Sequence, residues 1–193
     1  MAYEKKALEK TILDIAEKQL FRHGYKNLNL NEVAKEAGIS KVTLYKNFKS
    51  KYEVASRIIE RLLENTDLEM SNLLQSELSL QDKMAQGIKI ISNLYLKMDR
   101  DFLHDLEHSL PELWQRIDDI RKTREKMIAT LFTKAQNSGT IRKDIDPQLL
   151  SSLIMVLVRG VYNPSFFYAH SVSADTAGRA IVNIFLDGIL KNE

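Results

Sequence analysis

The sequence predicts an all-α protein of about nine helices, and three observations carry that expectation. Apolar residues recur at three- and four-residue spacings through most of the chain, and no stretch alternates as a strand would. Glycine and proline, the strongest breakers, number only seven and three in 193 residues. With 44% hydrophobic and 28% charged residues, the chain can bury a substantial core in one or two domains.

Taken in order, Leu8, Ile12, Ile15, Ala16 and Leu20 form one stripe on a first helix ending near Gly24. Asn29 and Glu32 have capping-box spacing, so a brief helix starts there and carries Val33, Ala34 and Ala37 inward until Gly38 stops it. Ser40 caps a second short helix to about Phe48, and Ser50 caps a third that continues past Leu63. Two short helices joined by a tight turn at Gly38 make a helix-turn-helix. Further on, Pro111 opens a long helix carrying Leu113, Ile117, Ile120, Met127, Leu131 and Phe132, which "NSGT" (137–140) ends. Asp146 followed by Pro147 starts a helix with Leu150, Leu153, Ile154, Leu157 and Val161, broken or kinked at Asn163-Pro164. Ser173 caps a last helix with Ala177, Ile181, Ile184 and Phe185 on one face.

Composition excludes several classes. There is no cysteine, so disulfides and thiolate metal sites are absent. The charged amino terminus lacks the apolar stretch of a signal peptide, and the longest apolar run, 149–158, is too short for a membrane span. A cytoplasmic protein without membrane association is expected. Net charge is +2, but residues 1–60 hold twelve Lys/Arg against eight Asp/Glu. Four lysines, Lys41, Lys46, Lys49 and Lys51, fall within residues 37–51, where there is no acid.

Helical geometry explains that cluster. At about 100° per residue, Leu44 and Phe48 lie together on the inner side of the helix starting at Lys41. Lys46 lies opposite, flanked by Val42 and Thr43, with Asn47 nearby. Such a face suits the major groove, where lysine donates to guanine or phosphate and the methyls of Val42 and Thr43 pack on thymine. Tyr45 on the helix shoulder, Lys51 at the next helix start, Asn29 at the preceding cap and Tyr25 are candidates for contacts to the DNA.

Residues 12–60 resemble the amino-terminal DNA-binding domain of TetR-type bacterial transcriptional regulators. The resemblance rests on Gly24-Tyr25, Val33-Ala34, Ala37-Gly38-Ile39-Ser40, Thr43-Leu44-Tyr45 and Phe48-Lys49-Ser50-Lys51. It implies a three-helix DNA-binding domain over residues 1–50 and a larger ligand-binding and dimerisation domain over 51–193, with a palindromic double-stranded operator as partner. It also implies a homodimer built on the last two helices. The segment 139–147 agrees with a pattern such regulators often show before the first dimer helix. Leu28, Asn29, Val42 and the pair Lys46-Asn47 depart from the usual residues, which leaves the fold intact and the operator sequence open.

The carboxy-terminal part offers Tyr95, Phe102, His104, His108, Trp114 and Arg159 as candidates for a small apolar or amphipathic effector. Leu153, Leu157, Ile181 and Phe185 are expected at the dimer interface. His104 and His108 have a metal-compatible spacing but no clear third ligand, so no metal, cofactor or catalytic residue is expected. The favoured function is a repressor released by its ligand. The alternative is a regulator that needs no ligand, or one whose carboxy-terminal domain recruits a protein.

Overall fold

The computed structural model describes residues 2–95, 100–162, 166 and 169–190, with backbone alone for 2, 3, 100, 101, 103, 104 and 107. Its helices are α1 (Ala2–Asn27), α2 (Leu30–Glu36), α3 (Lys41–Asn47), α4 (Lys51–Gln75), α5 (Leu80–Tyr95), α6 (Arg100–Ser109), α7 (Pro111–Asn137), α8 (Pro147–Val161) and α9 (Ala174–Ile189). The fold is all-α, as expected. Among the described residues the sole β feature is an isolated bridge between Ile141 and Leu190, where Arg142 N–H donates to the Ile189 carbonyl at 2.9 Å.

The chain forms two compact units, Met1–Asn65 with Lys97–Gln115, and Thr66–Leu96 with Arg116–Glu193. Both α4 and α7 contribute residues to each unit.

Short polar residues set the helix limits. Ser40, Asp146 and Ser173 each accept a backbone N–H three residues on, from Thr43, Leu149 and Thr176, satisfying donors that a helix start leaves free. Asn29 caps α2 differently from a standard capping box. Its Oδ1 accepts from Asn31 N–H at 3.0 Å, while its Nδ2 donates to the Glu32 carboxylate at 3.1 Å. Gly38 has φ 68°, and the paired bonds Gly38 N–H to Lys35 carbonyl and Ile39 N–H to Ala34 carbonyl close α2 in a Schellman motif. The first helix leaves helical angles at Gly24, as expected, but resumes to Asn27. The end of α8 comes at Val161, and the expected break at Asn163-Pro164 lies outside the described residues.

In the first unit, Ile12, Ala16, Leu20 and Phe21 of α1 are buried with Val33 and Ala34, Leu44, Phe48, and Val54, Ala55, Ile58 and Ile59. The amphipathic α6 packs on α1, with Phe102 meeting Phe21 edge-on at 5.0 Å between ring centroids. Arg61 bridges Asp14 and Glu17, joining α4 to α1.

The second unit buries Met84 and Ile88 of α5 with Phe132, Ile154, Ile181, Val182, Phe185 and Leu186. Close approach of α9 to α5 depends on Gly178: a methyl group there would lie 2.3 Å from both Ile88 Cγ2 and the Tyr162 hydroxyl. That hydroxyl is 2.6 Å from Ser92 Oγ and donates to the Ala174 carbonyl at 3.2 Å, so it has little freedom to retreat. Gly178→Ala is therefore expected to destabilise the protein by about 1–3 kcal/mol through overpacking, read as a lower midpoint in thermal unfolding.

Candidate nucleic-acid interface

The seven-residue α3 is fixed to its unit by two side chains. Leu44 and Phe48 are buried, and Ser40 closes the helix start. What remains faces outward: Lys41, Val42, Tyr45 and Lys46 are exposed, Val42 at 64%. A valine this exposed is conspicuous on a helix that otherwise presents cations and hydroxyls. Thr43 and Asn47 are half-buried and already engaged, the Thr43 hydroxyl 2.9 Å from Ser40 Oγ and Asn47 Nδ2 donating to the Thr43 carbonyl at 2.8 Å. Rigidity of the outward face follows from these bonds.

The start of α4 is equally constrained. Ser50 Oγ accepts from Glu53 N–H at 3.1 Å, and the Glu53 carboxylate reaches back to Lys49 N–H at 2.6 Å. Lys51 Nζ donates to the Lys26 carbonyl at 2.7 Å and lies 4.9 Å from the Tyr25 ring centroid. Burial lowers the Lys51 pKa from its ordinary value, opposed by the Asp105 carboxylate, and burial raises that of the Tyr25 phenol.

An open cleft of about 390 Å³ runs past these groups, lined among others by Lys26, Asn29, Asn31, Tyr45 and Lys51. Asn29, Tyr45 and Lys51, chosen from separate helices, thus meet at one concavity, and Tyr25 touches it through Lys51.

A family model described as bacterial regulatory proteins, tetR family, matches residues 12–58, the segment that builds this face. The HTH-type transcriptional regulator YvaF of Bacillus subtilis is 21% identical, the match covering 96% of this chain and 97% of that protein. The fatty acid metabolism regulator protein of the same organism is 24% identical over 74% of this chain and 75% of its own length. Among solved structures, a protein from Saccharomonospora viridis in complex with choline shares the fold at TM-score 0.82 and 17% identity, over 97% of this chain and 100% of that one.

The segment 12–58 is a tetR-family domain.

Elsewhere in the chain, the residues expected to take a ligand divide between the two units. Phe102 is fully buried against Phe21 in the first unit, a core position set by the packing of α6 on α1. Trp114 is half-buried and His108 exposed in that same unit, and the His104 side chain lies outside the described residues. Tyr95, in the second unit, packs on Tyr162 at 5.4 Å, while Arg159 is exposed and paired with Asp118 at 2.6 Å. The residues expected at a dimer interface also divide. Leu153 and Leu157 are exposed, but Ile181 and Phe185 are buried in the core of their own unit, Phe185 beside Phe132 at 5.8 Å. Ile184, on the same helix, is the one turned outward, at 74% exposure. Among the described residues no group of three or more His, Asp and Glu is placed to hold a metal, and no helix is long and apolar enough to cross a membrane.

One polar contact escaped sequence reading. Asp105 of α6 is buried, accepts Lys26 N–H at 2.9 Å and pairs with Lys26 Nζ at 3.5 Å. Its partner is 79 residues away in sequence, so no local spacing announces it. The Asp105 bond orders the backbone whose carbonyl holds Lys51. Asp105→Ala removes the acceptor of the part-buried Lys26 N–H and the partner of its ammonium, for an expected loss of about 1 kcal/mol in urea denaturation. Asp105→Asn, which keeps an acceptor, should lose less.

Proposed function

We propose that this protein is a homodimeric repressor that binds a palindromic operator through α3 and the start of α4 and is released by a small amphipathic ligand. The observation that carries the DNA assignment is the outward face of α3, where Lys41, Val42, Tyr45 and Lys46 stand exposed on a helix held by Leu44 and Phe48. Residues 37–51 contain no carboxylate to repel a phosphate backbone. In this reading Lys41, Val42, Lys46, Thr43 and Asn47 face bases or their immediate surroundings. Asn29, Tyr25, Tyr45 and Lys51 position the backbone. DNA recognition belongs to residues 1–50, and ligand binding and dimerisation to 51–193.

Dimerisation is supported by the exposed apolar face of α8 and α9. Leu149, Leu153, Val156 and Leu157 are exposed on α8, and Ile184 on α9. Such a face is larger than isolated surface leucines would explain. A twofold pair through it presents two reading helices to successive major grooves. A small ligand is in keeping with the choline complex of a protein that shares this fold, and regulation linked to fatty acids with the name of the fatty acid metabolism regulator protein.

Two measurements test this reading. Fluorescence anisotropy on a palindromic duplex selected from random DNA should give an affinity that falls steeply with salt. Lys51→Ala should weaken all sequences alike. Lys46→Ala should also change base preference, by about 1–3 kcal/mol per lost contact. Unchanged affinity and preference in Lys46→Ala would refute the assigned face.

For assembly, sedimentation should show a dimer for the wild type and a monomer with poor operator binding for Val156→Asp combined with Ile184→Asp. Ile181→Asp is unsuitable, because it would bury a charge in the unit's own core.

A further inference from the structure

Arg124 of α7 is the one buried arginine or lysine among the described residues, with 8% of its surface exposed. Its Nε faces Asp67 Oδ1 of α4 at 3.3 Å, and that aspartate side chain is itself half exposed. Its Nη2 is buried and has no hydrogen-bond partner among the described residues. A guanidinium carries five donors in a rigid fork and stays charged in proteins. Burial nonetheless pushes its pKa down, as does the like charge of Arg121, three residues earlier, while Asp67 pulls it up. A buried donor left in this state is unfavourable, and a polar group of this kind calls for a further acceptor.

The neighbouring side chains indicate what sort of molecule brings that acceptor. One turn beyond Asp67 on α4 stands Met70, buried, with its sulfur 3.7 Å from where a side chain at Gly87 of α5 would begin. One turn beyond Arg124 on α7 stands the partly buried Ile128. Met84 of α5 is buried too. Methionine is unbranched and repacks readily, so α4 and α5 can yield space to an inserted chain. A cationic fork beside adaptable apolar side chains matches an oxyanion carried on a hydrocarbon body. The planar fork fits the two oxygens of a carboxylate.

We propose that Arg124 binds the carboxylate of an amphipathic ligand in the second unit, with the ligand's apolar body against Met70 and Met84. This rests on the ligand-responsive reading above and specifies the chemical class of the effector. Arg124, Met70 and Met84 then join the binding residues, ahead of the exposed Arg159, whose guanidinium already pairs with Asp118.

The full-length protein tests this with decanoate as probe, 1-decanol as its uncharged counterpart and decyl phosphate as the other oxyanion, each followed by calorimetric titration and thermal unfolding. Decanoate should bind and raise the unfolding midpoint of the wild type. Arg124→Met should bind decanoate about tenfold or more weakly, the loss of a charge-assisted pair, and 1-decanol unchanged. Ligand-free Arg124→Met should be at least as stable as the wild type, because the substitution removes a buried unpaired donor and leaves Asp67 in water.

No binding of decanoate, equal binding to Arg124→Met, or preference for decyl phosphate overturns the proposal. So does a clear loss of stability in ligand-free Arg124→Met, which would mark an ordered water as the missing partner. Operator binding measured with the same probe separates this from the release reading. Decanoate binding that needs Arg124 but leaves DNA binding untouched keeps the site and refutes release. Operator release that persists in Arg124→Met keeps release and refutes the site.

Discussion

A helix of seven residues does not hold itself together in water, since isolated helices shorter than about 12–15 residues are marginal even with favourable sequences. Helix α3, the proposed reading helix, is that short, and its existence is borrowed from the packing of Leu44 and Phe48 into the first unit and from the Ser40 cap. Everything the proposed DNA contact asks of the helix depends on this. Because two inward residues and one cap fix it, the remaining positions are free to be chosen for readout. That is why an exposed valine, two lysines and a tyrosine are tolerated there without loss of fold. The same constraint explains Thr43 and Asn47, whose polar groups are spent on the helix itself and which therefore hold the face still more than they extend it.

Behind α3 lies a second layer of order. Lys51 depends on the Lys26 carbonyl, and the backbone at Lys26 depends on Asp105 of α6. A shift of α6 along its own axis would act first on Asp105, then on the peptide at Lys26, and only then on the lysine at the cleft. The aromatic contact of Phe102 with Phe21 resists such a shift by shape, and the Asp105 bond resists it by direction. Apolar contacts tolerate sliding better than a hydrogen bond aimed at one N–H. The carboxylate is thus the more discriminating of the two ties.

Much of this was legible in the sequence, and the divide is a physical one. Helix starts at Ser40, Ser50, Asp146 and Ser173 are local chemistry: a short polar side chain bonds a backbone donor three residues on, and spacing alone reveals it. The inward pair Leu44 and Phe48 follows from one helical turn. Which apolar side of α9 faces its own unit does not, because Ile181, Ile184 and Phe185 all fit an apolar stripe, and only the placement of α5 and Phe132 decides that Ile184 turns outward. Phe102 was ambiguous for the same reason: a buried aromatic and a ligand-lining aromatic have identical local patterns. Asp105 and Arg124 were invisible because their partners lie 79 and 57 residues away, and burial of a charged side chain runs against its ordinary preference.

Three carboxylates near the cationic face show how the fold reconciles acidic residues with the proposed phosphate-facing surface. Glu53 sits two residues after Lys51, yet its oxygen is directed to Lys49 N–H at 2.6 Å. Glu32 follows the cap at Asn29, and its oxygen takes the Asn29 amide at 3.1 Å. Asp105 is buried and takes Lys26 N–H at 2.9 Å. In each case the negative charge is aimed at an N–H dipole, which draws the local field inward and leaves the outward potential to the lysines. An acid in this region is therefore compatible with DNA so long as a backbone or amide donor claims it.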